Sequence, residues 1–195
     1  MNSSKSVIEF RDRALRGIGR NVVNFQRLEQ CIKFVSLFSG SEGPLSKVLR
    51  DQHERIERVS RHTLGQAVLE IQRIIEKDNR PLPTTKDLFE PWVSTSFEFV
   101  LDRPAARQHC EELSVLVHER NDLVHHRMAA VDFDSIEQCT LLSEELDSQN
   151  SRILQLLGVF GSLVTELRQM LAEHNEYVNS TEFLAQLQSP CEDDA

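Results

Sequence analysis

Cysteine is scarce in this 195-residue sequence, and Cys31, Cys110, Cys139 and Cys191 stand apart with no CxxC pair. Such scatter signals neither a zinc site nor a disulfide framework and predicts reduced, partly buried thiols. Long apolar runs are missing as well. No stretch reaches the roughly 18 uninterrupted apolar residues of a membrane-spanning helix, and Met1 to Phe10 has no apolar core of a secretory signal, so a cytoplasmic location is expected. A Gly-rich phosphate loop, a nucleophile elbow and an HExxH pair are also lacking, which leaves no cofactor-binding motif.

Positive charge is in deficit, with 22 Lys and Arg against 31 Asp and Glu and a net charge of -9. A broad basic surface for nucleic acid is thereby excluded, and any RNA contact has to be local. The cations present are mostly arginine, 17 against 5 lysines, a bias that favours bidentate pairing between helices or at phosphates. With 39% hydrophobic residues and no shift in composition, one helical domain is expected over 1–188, followed by a disordered acidic tail over 189–195.

Helical periodicity dominates what is present. Phe10, Ala14, Ile18, Val22, Phe25, Leu28, Ile32, Val35 and Phe38 step by three and four along one long helix, which Gly17 and Gly19 are placed to bend. Gly40, Gly43 and Pro44 then turn the chain. A second run passes through Val48, Ile56, Val59, Ala67 and Ile71. Thr63 either lies within that helix or caps a separate one beginning at Leu64. Alternation from Val93 to Leu101 suggests a short strand.

A third helix is expected from Pro104 to about Arg127, and a fourth from Phe133, where Asp134 and Glu137 have capping-box spacing. The fourth continues through Leu142, Leu146, Ile153, Leu157, Phe160 and Leu171. At about 60 Å it exceeds the diameter of a compact domain, so it needs a long partner or a kink. Asp147 to Ser151 is the place for a bend, and Gly158 and Gly161 are the places for close approach of another backbone. The expected fold is all-α: an antiparallel helical bundle of about four to six helices with a long C-terminal helix and one short strand within 93–101. A helical hairpin or a helical dimer equally satisfies the long helix.

The segment with chemical content is His118-Glu119-Arg120-Asn121-Asp122-Leu123-Val124-His125-His126-Arg127. A helical wheel puts Ala106, Leu113, Val117 and Val124 on one apolar face, with Leu116 on its border and Arg120 in its middle. A guanidinium there requires a carboxylate, carbonyls, or an opening toward an anion or a second subunit. A packing role is one reading, with Arg120 reaching a Glu on a neighbouring helix and both histidines at the surface. The other is a phosphate site, where arginine stabilises charge and imidazole transfers protons. A metal site is disfavoured, because His118, Asp122 and His125 span about 10 Å along the helix.

An Arg followed after four to six residues by His, with a polar residue directly after the Arg, at the end of a helix in an all-helical chain, resembles the signature of the HEPN superfamily. Arg120 and His125 fit the four-residue spacing, Arg120 and His126 the five-residue spacing, and Asn121 is the polar residue. Arg55 with His62, Arg103 with His109 and Arg168 with His174 also fit the spacing, but only the Arg120 segment adds the Asn and the helix-end placement. The resemblance implies a homodimer whose motif helices face each other, and a metal-independent endoribonuclease with no cofactor. Arg120 would bind phosphate, His125 would transfer protons with His126 as the alternate, and Asn121 would orient. It also implies that a minimal nucleotidyltransferase acts as antitoxin. A non-catalytic dimerisation or partner-binding module, built on the Gly158 and Gly161 face, is the alternative.

Overall fold

A computed structural model describes residues 2–38, 41–76, 92–95 and 103–188. Along the chain these form α1 (Asn2–Leu37), β1 (Ser41–Pro44), α2 (Leu45–Ser60), α3 (Leu64–Glu76), β2 (Trp92–Thr95), α4 (Arg103–Asp122), a π-helical segment (Leu123–Arg127), α5 (Met128–Ala130), α6 (Ile136–Val178) and α7 (Thr181–Gln188). The all-α expectation holds. The acidic tail at 189–195 lies outside the described residues, as does most of the expected strand, 96–101.

Thr63 begins a new helix. Its hydroxyl accepts from the Gln66 N–H at 3.4 Å, and the Gln66 side chain accepts from the Thr63 N–H at 2.8 Å. Two amides that a helix start would otherwise strand are satisfied reciprocally. The start of α6 departs from expectation. Asp134 is not its cap: Ser135 is, accepting from the Gln138 N–H, and the Gln138 side chain accepts from the Asp132 N–H at 2.8 Å. The Gly-Pro segment after α1 is not a bare turn either. It pairs antiparallel with β2, Gly43 opposite Val93 and Pro44 opposite Trp92, and Gly43 has φ 145°, which L side chains rarely adopt.

At 43 residues, about 65 Å, α6 runs unbroken through Asp147 to Ser151. Its long partner is α1, and the two run in the same direction: Gly17 lies against Leu146, Asn21 bonds Gln149, and Asn24 bonds Asn150. The neighbouring pairs are antiparallel. Gln72 reaches Ser114 while Gly65 faces Val117, setting α3 against α4, and Glu119 bonds Arg152 while Leu123 joins Leu142, setting α4 against α6. Close approach of α1 and α6 occurs at Gly17, where a Cβ would stand 3.1 Å from Leu146 Cδ1. It does not occur at Gly158 or Gly161, which face open space.

The core is in two parts. The larger joins Phe25, Leu28 and Ile32 of α1 to α3, α4 and Ile153, Leu156 and Phe160 of α6. The smaller gathers Ala14, Ile18, Leu123, Cys139, Leu142 and Leu146. Between them lies a buried polar layer in which Asn21 Nδ2 donates to Leu146 O and to Gln149 Oε1, both at 2.9 Å. Gln149 Nε2 passes the chain on to Glu119 Oε2 at 3.1 Å. The polar interruption in α6 is therefore a layer that faces partners of its own kind, so the helix has no reason to bend there. Among the described residues no helix is long and apolar enough to cross a membrane.

Candidate functional site

α4 carries its buried stripe through Ala106, Cys110, Leu113, Leu116 and Leu123. That stripe is turned toward Leu116 relative to the wheel reading, and Val117 and Val124 are only partly covered. Arg120 still falls within it, half-buried. Among the described residues it takes no glutamate from a neighbouring helix. That role belongs to Arg152, whose Nη2 binds Glu119 at 2.7 and 2.8 Å. Arg120 Nη1 donates to Asn121 Oδ1 at 3.0 Å, so the residue after the arginine orients it.

The opening that a half-buried guanidinium requires comes from the length of α3. Its second residue, Gly65, packs on Val117, where a Cβ would meet Val117 Cγ1 at 3.4 Å. Since α3 and α4 are antiparallel, everything after Val117 on that side runs past the start of α3. Asn121 and His125 follow Val117 at steps of four and continue the same stripe into solvent, and both are exposed. Arg120 borders it.

The helix is distorted at this point. Leu123 to Arg127 is a π-helical turn, and the Met128 N–H reaches Leu123 O five residues back. Such turns are rare and concentrate at functional sites. On an ideal α-helix Arg120 and His125 point about 140° apart. More residues per turn means less rotation per residue, so the π segment narrows that separation. Leu123, 5% exposed, anchors the turn in the smaller core while His125 and His126 stand outside it. The two imidazoles lie edge to face with centroids 6.4 Å apart. No hydrogen bond joins Arg120 to either histidine among the described residues.

The opposite side of the π segment is acidic. A groove of about 550 Å³ between it and α6 is lined by Glu119, Asp122, Arg127, Glu144, Glu145 and Arg152 among others. Arg127 pairs with Glu145, and Arg152 with Glu119, leaving the groove net negative and unsuited to phosphate. At the motif, among the described residues, the Arg120, Asn121 and His125 side is thus more favourable to an anion than the groove. Among the described residues no cluster of His, Cys, Asp or Glu is arranged to hold a metal ion. Sequence reasoning missed the Asn21, Gln149 and Glu119 chain. Its signal was present as amides at core-facing positions of two apolar helices.

No family model, curated protein or solved structure matches this chain.

Proposed function

We propose that the chain is a HEPN-like, metal-independent endoribonuclease acting as a homodimer. The observation that carries this reading is the coincidence of the Arg-Asn-x3-His segment with a π-helical turn placed beyond the end of α3. That placement leaves a half-buried Arg120, aligned by Asn121, beside an open surface that also holds His125.

In the proposed reaction the ribose 2′-hydroxyl loses its proton to an imidazole and attacks the adjacent phosphorus. The O2′–P bond forms, the P–O5′ bond breaks, and the departing 5′-oxygen is protonated, leaving a 2′,3′-cyclic phosphate. Arg120 stabilises charge developing on the phosphoryl oxygens, and Asn121 keeps the guanidinium aimed. His125 transfers protons near neutral pH, with His126 as the alternate. A second protomer supplies the complementary proton-transfer group, since one motif does not bring an arginine and a histidine into contact. A nucleotidyltransferase-type antitoxin is the partner this reading implies.

The test is incubation of the protein, in EDTA, with a mixed pool of structured and unstructured RNAs beside His125→Ala and His126→Ala. Cyclic-phosphate ends that vanish in one variant are expected. Absence of cleavage from folded, dimeric protein would instead favour a non-catalytic dimerisation or partner-binding module.

A further inference from the structure

Arg13, Arg16, Arg20 and Arg27 fall at i, i+3, i+7 and i+14 of α1, within a 60° arc of one helix face by the 100° step. Two of them fix where that face lies. Arg13 Nη2 and Arg20 Nη1 both bind Asp147 of α6, at 3.2 and 2.9 Å, so the arc flanks the α1–α6 seam. Arg20 is further held by donating to Leu146 O at 3.2 Å and to Asn21 Oδ1 at 3.1 Å. Arg16 and Arg27 are exposed and carry no carboxylate partner among the described residues. Arg168 adds a fifth cation on the same flank. It lies 5.1 Å over the Phe34 ring, and it joins Arg27 in partly opposing the burial that raises the pKa of the nearby Cys31 thiol.

Apart from Asp147, carboxylates are missing along the Arg13 to Arg27 stretch of this flank. None occurs between Asp12 and Glu29 of α1, or between Asp147 and Glu166 of α6. Asp147, whose pKa is lowered chiefly by its hydrogen bond from Arg20, is outnumbered by the guanidiniums around it. Among the other surface arginines, Arg50, Arg61 and Arg73 each sit 3.8 Å from an acid close by in the chain, whereas Arg58 and Arg107 are exposed singly on other helices. In a chain of net charge -9, this seam is a local excess of positive charge. Beside it α6 presents Gly158, Gly161, Ser162 and Thr165, and added Cβ atoms at both glycines would meet nothing, so a strand can approach the helix closely.

We infer that this flank of the α1–α6 pair is a docking track for the sugar-phosphate backbone of single-stranded RNA. Arg13 to Arg27 spans about 21 Å along the helix, room for several phosphates in succession. Its Arg13 to Arg20 end lies at the level of the motif, because Ala14 and Ile18 pack in one cluster with Leu123 of the π segment. The choice of RNA rests on the ribonuclease reading. The track itself rests on the arginine geometry.

The experiment is fluorescence anisotropy of an unstructured, fluorescein-labelled 20-nucleotide RNA, in EDTA and from about 50 to 200 mM KCl. The protein carries His125→Ala so that the probe survives. Arg16→Gln with Arg27→Gln is compared with Arg61→Gln with Arg73→Gln, an equal loss of charge elsewhere. Each phosphate contact contributes about 0.7 to the salt slope for a single strand. The first pair is expected to flatten the slope by about 1.4 and weaken binding roughly tenfold at low salt. The second pair is expected to change binding less than about twofold. Salt-independent binding, or equal losses in both pairs, would overturn the inference. Cleavage without any dependence of binding on Arg16 and Arg27 would remove the track and leave the ribonuclease standing. Arg16- and Arg27-dependent binding by a protein that cleaves nothing would do the reverse.

Discussion

Replacing Asn21 with alanine should destabilise the protein far more than an amide on a helix surface would. Asn21 is 0% exposed and donates to two acceptors at 2.9 Å, Leu146 O and Gln149 Oε1. In the variant Leu146 O keeps its bond from Arg20, but Gln149 Oε1 loses its donor inside a residue only 7% exposed. An unsatisfied buried acceptor costs about 1–3 kcal/mol, and the space vacated by the amide adds about 1 kcal/mol. The expected loss is about 3 kcal/mol, or a Tm lower by about 6–12 °C for a chain of this size. Thermal and urea unfolding followed by circular dichroism measure it. Gln149→Ala in the same cycle should show a coupling of about 1–2 kcal/mol with Asn21→Ala, since each removes the other's partner. Asn24→Ala, which loses a single bond to Asn150, should cost only about 1 kcal/mol. A loss below about 1 kcal/mol for Asn21→Ala, or strict additivity with Gln149→Ala, would refute the argument that this layer ties α1 to α6.

Glycine substitutions should differ in sign. Gly158→Ala, facing open space, should gain about 0.5–1 kcal/mol from helix propensity, whereas Gly17→Ala, pressed against the buried Leu146, should lose about 1 kcal/mol net in the same melts. Thr63→Ala should cost about 1 kcal/mol by opening the capping box of α3, seen as a lower urea midpoint with unchanged slope. Asp147 has a folded pKa below its ordinary value, principally through Arg20, so its contribution to stability is present above about pH 4 and disappears as pH falls through the lowered folded value. Asp147→Asn should therefore flatten the acid limb of a stability-against-pH curve, and an unchanged limb would show that the Arg13 and Arg20 contacts do not persist in solution. Cys139 is fully buried with its thiol pKa raised mainly by that burial, so alkylation at pH 8 should follow global unfolding, and fast labelling of the native protein would contradict its place in the smaller core.

The sequence by itself determined the helices and much of their punctuation. Periodicity of apolar residues is a local property, and Thr63 with Gln66 is a local capping pair, so both could be read without knowing what lies nearby. The same holds for the oddity of Arg120: an arginine on an apolar stripe is visible in any wheel. It also demanded a long partner or a kink for α6, because a helix of about 65 Å has to bury its apolar face somewhere.

Only the tertiary structure decided which faces meet. That α1 is the parallel partner of α6 depends on the passage of the chain through α2 to α5, which no local pattern encodes. The amides Asn21 and Gln149 become a shared layer only when those two helices are set in register, and that is why the expected bend at Asp147 to Ser151 is absent. Ser41–Pro44 is a strand because β2 comes to pair with it. The environment of Arg120 follows from where α3 happens to begin opposite Val117, a fact about two helices at once. The π segment likewise takes its facing from Leu123, which reaches into the smaller core while His125 and His126 stand outside it. Spacing proposed the residues of the candidate site; packing between distant segments determined which of them face solvent, which are aligned, and from which side an anion can reach them.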